Sequence, residues 1–209
     1  MHQEALTPAT RALFNELNGV ARVKNFYLAG GSALALYYGH RFSVDLDWFS
    51  PDFSNDGGLT AELSKLGKFK IEFDNEHSLK GFIKGVSISF FRYPYGLIRP
   101  TTDVAENLRV ASKEDIACMK LEAASRRGTK KDFIDLFFLL QEFSLEQMLG
   151  LMQEKYQGIE YNTAHLLRSL TYFEDAEGQV VQLIKTDITW AKVKEKITGV
   201  VREYLRRKI

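Results

Sequence analysis

The chain has 209 residues, of which 45% are hydrophobic, and its 28 basic and 27 acidic side chains leave a formal net charge of +1. A chain of this size and composition can form one large domain or two small ones with a real core, which excludes a disordered protein. The near-neutral charge excludes a global field that would select nucleic acid or membrane, so a nucleic-acid partner would need a local basic patch.

The single cysteine, Cys118, excludes an internal disulfide, and the sequence has no cluster of cysteines and histidines typical of zinc sites. The N-terminal segment lacks a cationic region followed by an apolar run, and no apolar run is long enough to cross a membrane. We therefore expect a soluble cytoplasmic protein.

The first half of the chain has the pattern of an α/β layer. Thr7 followed by Pro8 predicts a helix start, and the helix should run to about Val23. Next come a buried strand, a glycine turn, a short helix capped by Ser32, and a strand that is apolar on one side and acidic on the other. The later elements are a helix to about Leu66 and two strands joined by a connecting segment. The buried strand with its glycine turn is predicted over 26–31, the short helix over 32–40 and the acidic strand over 43–49. The two later strands are predicted over 68–75 and 85–94, with the connecting segment over 77–84.

From Ser112 onward the pattern is helical. Ser112 with Asp115 predicts a capping box, Gly128 ends that helix, and an apolar helix follows directly. Further helices are predicted over 144–156, 162–173 and 190–208. The sequence therefore predicts an α+β fold, with a mixed β-sheet and flanking helices over 1–111 followed by a helical bundle over 112–209.

A glycine turn before a helix is the first candidate binding feature. Gly30, Gly31 and Ser32 let the backbone approach a ligand closely, and the first amides of the helix point N–H groups at it, which suits a phosphate. Such turns are also common for steric reasons alone.

An acidic pair follows on the next strand. Asp45 and Asp47 are two residues apart, so their side chains share one face, where they repel unless a cation lies between them. Hard oxygen ligands at this spacing suit Mg²⁺ or Mn²⁺ completed by water and substrate phosphates. A solvated edge strand is the alternative. The flanking residues favour a central strand because they are apolar, namely Val44, Leu46, Trp48 and Phe49.

A charged group occurs in the apolar helical half. Lys120 stands on an otherwise apolar stripe, and Asp132 and Asp135 lie three residues apart in the next helix. Buried carboxylates need cations or water, so an internal salt bridge to Lys120 or Arg126 and a catalytic role are both open.

Other charged residues have two interpretations each. Arg41, next to His40, is placed to hold a triphosphate, or it is simply a solvated loop arginine. Asp115 is interpreted as a helix cap rather than a ligand. The basic segment 192–208 either contacts RNA phosphates or is the outer face of an amphipathic helix.

The run from Gly30 to Asp47 resembles the signature of the DNA polymerase β-like nucleotidyltransferase superfamily. More narrowly, the chain resembles the AbiEii/AbiGii toxin family. The segments that carry this similarity are AGGSALALYYGHRFSVDLDWFS, GVSISFFRYPYGLI, SKEDIACMKLEAASRRGTKKDFIDLFFLL and LLRSLTYFEDAE.

The resemblance implies a nucleotidyltransferase sheet followed by helices, with NTP bound between them. It implies that Gly31 and Ser32 hold the triphosphate, that Asp45 and Asp47 hold Mg²⁺, and that Lys120 and Asp132 match the family's C-terminal motif. It also implies a bacterial toxin that adds nucleotides to an acceptor such as the 3′ end of tRNA and that a separately encoded antitoxin neutralises.

One position departs from the superfamily, which usually supplies a third carboxylate from a later central strand. Ser87 and Ser89 occupy the matching strand, and serine is a poor metal ligand and no base at neutral pH. Glu72, Asp74 or Asp132 are the candidate substitutes. A catalytically silent nucleotide- or partner-binding module, or an enzyme with a small-molecule acceptor such as an aminoglycoside, therefore stays open beside RNA modification.

Overall fold

A computed structural model describes residues 1–208 and divides the chain into two compact units. The first spans Met1–Ser112, and the second begins at Lys113. All strands of the described chain lie in the first unit, where they form one mixed sheet, and the second unit is helical. The predicted α+β fold class, a sheet with flanking helices followed by helices alone, is confirmed.

The first unit contains three α-helices and seven strands. Their order is α1 Pro8–Glu16, β1 Tyr27–Leu28, α2 Gly30–Tyr38, β2 Asp45–Ser50, α3 Gly58–Leu63, β3 Phe69–Asn75, β4 Ser78–Ile83, β5 Val86–Arg92, β6 Thr102–Ala105 and β7 Leu108–Val110. Thr7 caps α1, since its hydroxyl accepts from the Thr10 amide. The prediction that α1 runs to Val23 is wrong, because short 3₁₀ turns replace the helix after Glu16.

The seven strands form one sheet in the order β3-β4-β5-β2-β1-β7-β6. The acidic strand β2 is in the middle, antiparallel to β1 and parallel to β5. Its predicted central place is therefore confirmed. The segment predicted to connect two strands is itself a strand, β4, whose Gly81 lies so close to the Lys70 carbonyl of β3 that a side chain there would collide with it.

One face of the sheet forms the core of this unit. Leu46 and Trp48 of β2 and Phe90 of β5 are fully buried there. The Trp48 ring stacks between Phe14 of α1, at 6.2 Å between centroids, and Phe90, at 6.3 Å. Because strand side chains alternate, this packing assigns the other face of β2 to the two aspartates. Val44, predicted as part of the apolar flank, precedes the strand and is exposed.

The second unit consists of helices packed on one another. They are α4 Lys113–Arg126, α5 Lys130–Glu142, α6 Leu145–Lys155, α7 Thr163–Leu170, α8 Glu174–Glu177 and α9 Trp190–Lys208. Helices α4 and α9 each contact α6 and α7, and both also contact α5. Gly128, predicted to end α4, has a φ of 46°, a left-handed conformation that favours glycine.

Cys118 is fully buried in α4. This burial raises the pKa of its thiol to about 12, so the thiol is protonated at neutral pH.

Across residues 1–208, no helix has the combined length and apolarity that a membrane crossing requires.

Candidate active site

The glycine turn lies beside the acidic pair. Gly30 begins α2 with a φ of 69°, and a Cβ placed on it would lie 3.9 Å from Oδ2 of Asp47. The amide of Ala29 donates to the Asp47 carbonyl at 3.1 Å, which fixes the turn against β2. The first amides of α2, from Gly30 and Gly31 onward, have no partner within the helix because a helix leaves its first N–H groups unused. The turn and the acidic pair therefore form one local site.

Ser32 lies inside α2 and does not cap it, so the predicted cap is wrong; the helix begins at Gly30 with Ala29 as its N-cap. The buried Ser32 hydroxyl donates to the Asp45 carbonyl and lies 3.2 Å from Oδ1 of Asp45. The Ser43 hydroxyl lies 2.7 Å from Ser32 and 3.4 Å from the same carboxylate oxygen. Both serines thus position Asp45. The role of Ser43 was missed, although a serine two residues before an acid was its available signal.

Asp45 and Asp47 lie on the half-buried face of β2, as their spacing predicts. The parallel neighbour β5 aligns Ser87 with Asp45 and Ser89 with Asp47. Aligned residues on neighbouring strands project from the same face. The two serines are therefore the immediate neighbours of the acids, in the place where a third carboxylate would stand.

The acids of β3 do not supply this third carboxylate. Strand β3 is at the sheet edge, three strand spacings from β2, which is about 14 Å. Asp74 is aligned through Leu79 and Phe90 with Trp48, so it is on the opposite face from the acidic pair. Glu72 forms an ion pair with Lys80 at 3.0 Å. The suggestion that Glu72 or Asp74 substitutes for the missing acid is wrong for both.

Arg41 is buried in the segment that joins α2 to β2, with only 4% of its surface exposed. Its Nη1 donates to the Phe42 carbonyl at 3.2 Å, and the neighbouring His40 is also fully buried. The interpretation of Arg41 as a solvated loop arginine is therefore wrong. Its predicted contact with a triphosphate stays a prediction.

The acidic pair fits a hard divalent cation. Mg²⁺ commonly takes one or two carboxylates from a protein and completes its octahedron with water and phosphate oxygens. Asp45 and Asp47 lie on one face, beside the first amides of α2, and their carboxylates fit that donor set. Within the described part of the chain, no cluster of three or more His, Cys, Asp or Glu side chains is placed to hold a metal ion.

The second unit contains a buried charged group at the start of α5. Lys120 of α4 extends its Nζ to within 2.9 Å of Asp132 and 2.6 Å of Asp135, and both aspartates are fully buried. The predicted salt bridge between these helices is therefore confirmed with Lys120 as its cation, whereas Arg126 pairs with Glu122 of its own helix at 2.8 Å. Arg127 adds a bond from Nε to Oδ2 of Asp132 at 3.1 Å, and the Thr129 hydroxyl donates to the same oxygen at 2.5 Å. Arg127 and Thr129 were missed, although a threonine three residues before an aspartate is a common capping spacing.

The charge of Asp132 gives the second unit a pH-dependent stability. Burial alone would raise its pKa, but Lys120, Arg127 and Thr129 outweigh burial and lower the pKa from 3.8 to about 2. A carboxyl whose pKa is lower in the folded state than in the unfolded chain stabilises the fold at pH values above the unfolded-state pKa. This contribution is lost as the pH falls through the folded-state pKa. We expect Asp132 to contribute about 2 kcal/mol, lost between about pH 4 and pH 2. Urea unfolding of wild type and Asp132→Asn at each pH measures it; parallel pH profiles would contradict the expectation.

Asp115 was predicted as a helix cap, but its main feature is a buried ion pair. It is fully buried in α4, and its Oδ1 accepts a hydrogen bond from Nζ of Lys155 at 2.6 Å. The Lys155 side chain is also fully enclosed. The partners are 40 residues apart, and no local sequence pattern indicated the pair.

Helix α9 has the amphipathic pattern predicted for the basic C-terminal segment. Val193, Ile197 and Val201 are buried along one side, and most of its basic side chains are exposed. The interpretation as a helix with a charged outer face is therefore confirmed. RNA contact by this face stays a prediction.

Known proteins resemble this chain along most of its length. It is 37% identical over 186 residues to "Uncharacterized protein aq_aa25" of Aquifex aeolicus (strain VF5), covering 87% of this chain and 88% of that protein. The fold matches MenT4, nucleotidyltransferase toxin Rv2826c of Mycobacterium tuberculosis H37Rv, with a TM-score of 0.63 at 15% identity, covering 96% of this chain and 86% of that one. It also matches the antibiotic-resistance factor ANT(2'')-Ia, with a TM-score of 0.52 at 17% identity over 68% of this chain and 89% of that one.

The family comparison covers both units. Residues 11–203 match the model described as "Nucleotidyl transferase AbiEii toxin, Type IV TA system". This range includes the glycine turn, the acidic pair and the Lys120–Asp132 ion pair. The resemblance inferred from the sequence is therefore confirmed, and the chain belongs to the AbiEii nucleotidyltransferase toxin family.

Proposed function

We propose that this nucleotidyltransferase moves a nucleoside monophosphate from an NTP to the 3′ hydroxyl of an RNA such as tRNA, with pyrophosphate as the leaving group. The observation that carries the proposal is the placement of Asp45 and Asp47 on the open face of the central strand, next to the Gly30 turn. A cation site adjoining a phosphate site is the arrangement that in-line displacement at phosphorus requires.

The candidate site residues of the first unit each have a distinct role in this proposed reaction. The amides at Gly30 and Gly31 bind the triphosphate, and Arg41 of the segment between α2 and β2 adds positive charge. Asp45 and Asp47 hold Mg²⁺ or Mn²⁺, which would neutralise charge on the phosphates when bound. Ser32 and Ser43 keep the Asp45 carboxylate in place through the contacts described above. Ser32 is therefore a positioning residue in this proposal.

The serines beside the acidic pair occupy the place where a base could accept the proton of the attacking hydroxyl. Ser87 and Ser89 cannot accept that proton at neutral pH. In the proposed reaction the proton of the attacking hydroxyl would therefore pass to solvent or to the leaving pyrophosphate.

The second unit supports a structural role for Lys120 and Asp132, since both are engaged in the buried ion pair. Their participation in catalysis stays a prediction from the family motif. The family also leads us to propose a separately encoded antitoxin as the biological partner. Its presence would be tested by co-expressing the neighbouring open reading frame and measuring rescue of growth.

The direct test is transfer of label from NTP to RNA. Wild-type protein is incubated with each α-³²P-labelled NTP, Mg²⁺ and total tRNA, and the products are separated on a denaturing gel. We expect labelled tRNA and stoichiometric pyrophosphate, both abolished by a chelator and restored by added Mg²⁺ or Mn²⁺. Absence of pyrophosphate with every NTP and acceptor would overturn the enzymatic proposal.

Two alternative outcomes correspond to two other functions. NTP binding by calorimetry without pyrophosphate release would establish a silent nucleotide-binding module, which the serines at the third-acid position favour. Pyrophosphate release with an aminoglycoside but not with RNA would establish a small-molecule acceptor. The structural similarity to ANT(2'')-Ia shows a shared fold and is the reason to include that acceptor.

A further inference from the structure

A row of aromatic rings extends from the acidic pair along the same face of the sheet. Phe49 follows Asp45 and Asp47 at the next outward position of β2. Its ring lies 5.6 Å from that of Phe91 on β5 and 5.5 Å from that of Tyr93, and Tyr93 lies 4.9 Å from Tyr95. We call these four residues, Phe49, Phe91, Tyr93 and Tyr95, the aromatic row. All four are half-buried, so the ring surfaces are only partly used by the core.

The aromatic row leads to a cavity of about 550 Å³ at the far end of β2. Tyr95 lines this cavity together with Tyr27, Phe53, Arg22 and Arg109. From Asp47 to Ser50 at the cavity wall the strand advances about 10 Å. At about 3.4 Å per stacked nucleotide, this distance corresponds to roughly three nucleotides.

The arginines of the cavity differ in their partners. Arg22 is neutralised by Asp56, at 3.1 Å, and by Glu62, at 3.4 Å. Arg109 donates from Nη2 to the Lys24 carbonyl at 2.6 Å. Its Nε is buried, and among the residues that the structure describes it has no hydrogen-bond partner. A buried guanidinium donor without a partner is costly unless a ligand supplies an acceptor.

The inference rests on the proposed function, because in-line displacement determines the side from which the acceptor hydroxyl approaches the phosphorus. The leaving pyrophosphate would lie at the Gly30 turn, which is beside Asp47 on the β1 side of the acidic pair. The attacking hydroxyl must enter from the side opposite the leaving group. Strand β1 runs from Tyr27, opposite Phe49, to the turn, so the aromatic row extends along the sheet away from the proposed triphosphate site. We propose that the aromatic row and its cavity bind the single-stranded 3′ end of an RNA acceptor.

The chemistry of the surface matches single-stranded nucleic acid. Every base has a π-face, so successive bases stack on aromatic side chains without strong sequence preference. Arg109 supplies a donor for a backbone phosphate or a base edge. A compact small-molecule acceptor would need neither the length of the row nor the distant cavity.

The test measures binding of RNA without turnover. A fluorescein-labelled single-stranded RNA of about 10 nucleotides is titrated with full-length protein in the absence of NTP, and anisotropy is recorded. We expect Tyr95→Ala and Phe49→Leu each to weaken binding at least about fivefold. We expect Arg109→Gln to lower the slope of log affinity against log salt by about one. Tyr172→Ala, which removes an exposed ring of the second unit, is the matched control and should bind like wild type.

Folding and catalysis are controlled separately. Thermal melts identify a variant that fails to fold, and Tyr95→Phe should then retain affinity because it keeps the ring. Equal RNA affinity in wild type, Tyr95→Ala and Phe49→Leu would overturn the inference, as would no RNA binding by a protein that releases pyrophosphate with another acceptor. RNA binding that depends on the aromatic row without any pyrophosphate release would uphold the inference and overturn the proposed function.

Discussion

Replacing Asp47 by asparagine is expected to lower the rate of nucleotide transfer at least about a hundredfold. Asparagine preserves the shape of the side chain but removes the negative charge that holds a divalent cation. Metal ions contribute several kcal/mol to stabilising the transition state in such reactions, and each 1.4 kcal/mol corresponds to a factor of about ten. Asp45→Asn should behave in the same way, because both acids share the outward face of β2.

Initial rates of pyrophosphate release over a series of Mg²⁺ concentrations provide the measurement. Asp74→Asn is the matched control, since Asp74 belongs to the same sheet but is aligned with its opposite face. This variant should keep the wild-type rate. Wild-type rates in both Asp45→Asn and Asp47→Asn would show that the acidic pair takes no part in catalysis.

Replacing Lys155 by methionine is expected to cost about 3–5 kcal/mol of unfolding free energy. The substitution keeps most of the apolar stem but removes the cation whose Nζ lies 2.6 Å from the buried Asp115 carboxylate. Removing one partner of a buried ion pair is far more costly than losing a surface ion pair.

Urea unfolding monitored by circular dichroism measures this loss. Lys194→Met removes the ion pair with Glu177, whose side chain is 49% exposed, and should cost no more than about 1 kcal/mol. Combining Lys155→Met with Asp115→Leu should recover most of the loss, because an apolar pair of similar size replaces the ionic one. A double variant as unstable as Lys155→Met alone would show that the ion pair is not the cause.

The central part of the site could be predicted from local sequence because its geometry is local. A period of two places Asp45 and Asp47 on one face of any strand, and the glycine turn before them needs only adjacent residues. The neighbours of the acids depend on pairing between distant segments. The alignment of Ser87 and Ser89 with the acids follows from the parallel pairing of β2 with β5, which the family pattern indicated and residue spacing could not.

The parts that were predicted wrongly involve long-range contacts or weak patterns. Strand β4 was interpreted as a connection between two strands, and its sequence contains Gly81, a residue with low strand propensity. Its strand character follows from pairing with β3 and β5 on both sides. The partner of Asp115 could not be predicted because helices α4 and α6 meet only in the folded second unit.

The pairing of β2 on both edges has a consequence for the acidic pair. Side chains alternate along β2, so a one-residue shift in register would turn Asp45 and Asp47 together toward the layer occupied by Trp48. Such a shift would break the pairing with both neighbouring strands and expose a fully buried tryptophan. The packing that forms the core on one face of β2 therefore also fixes both metal-binding candidates on the other.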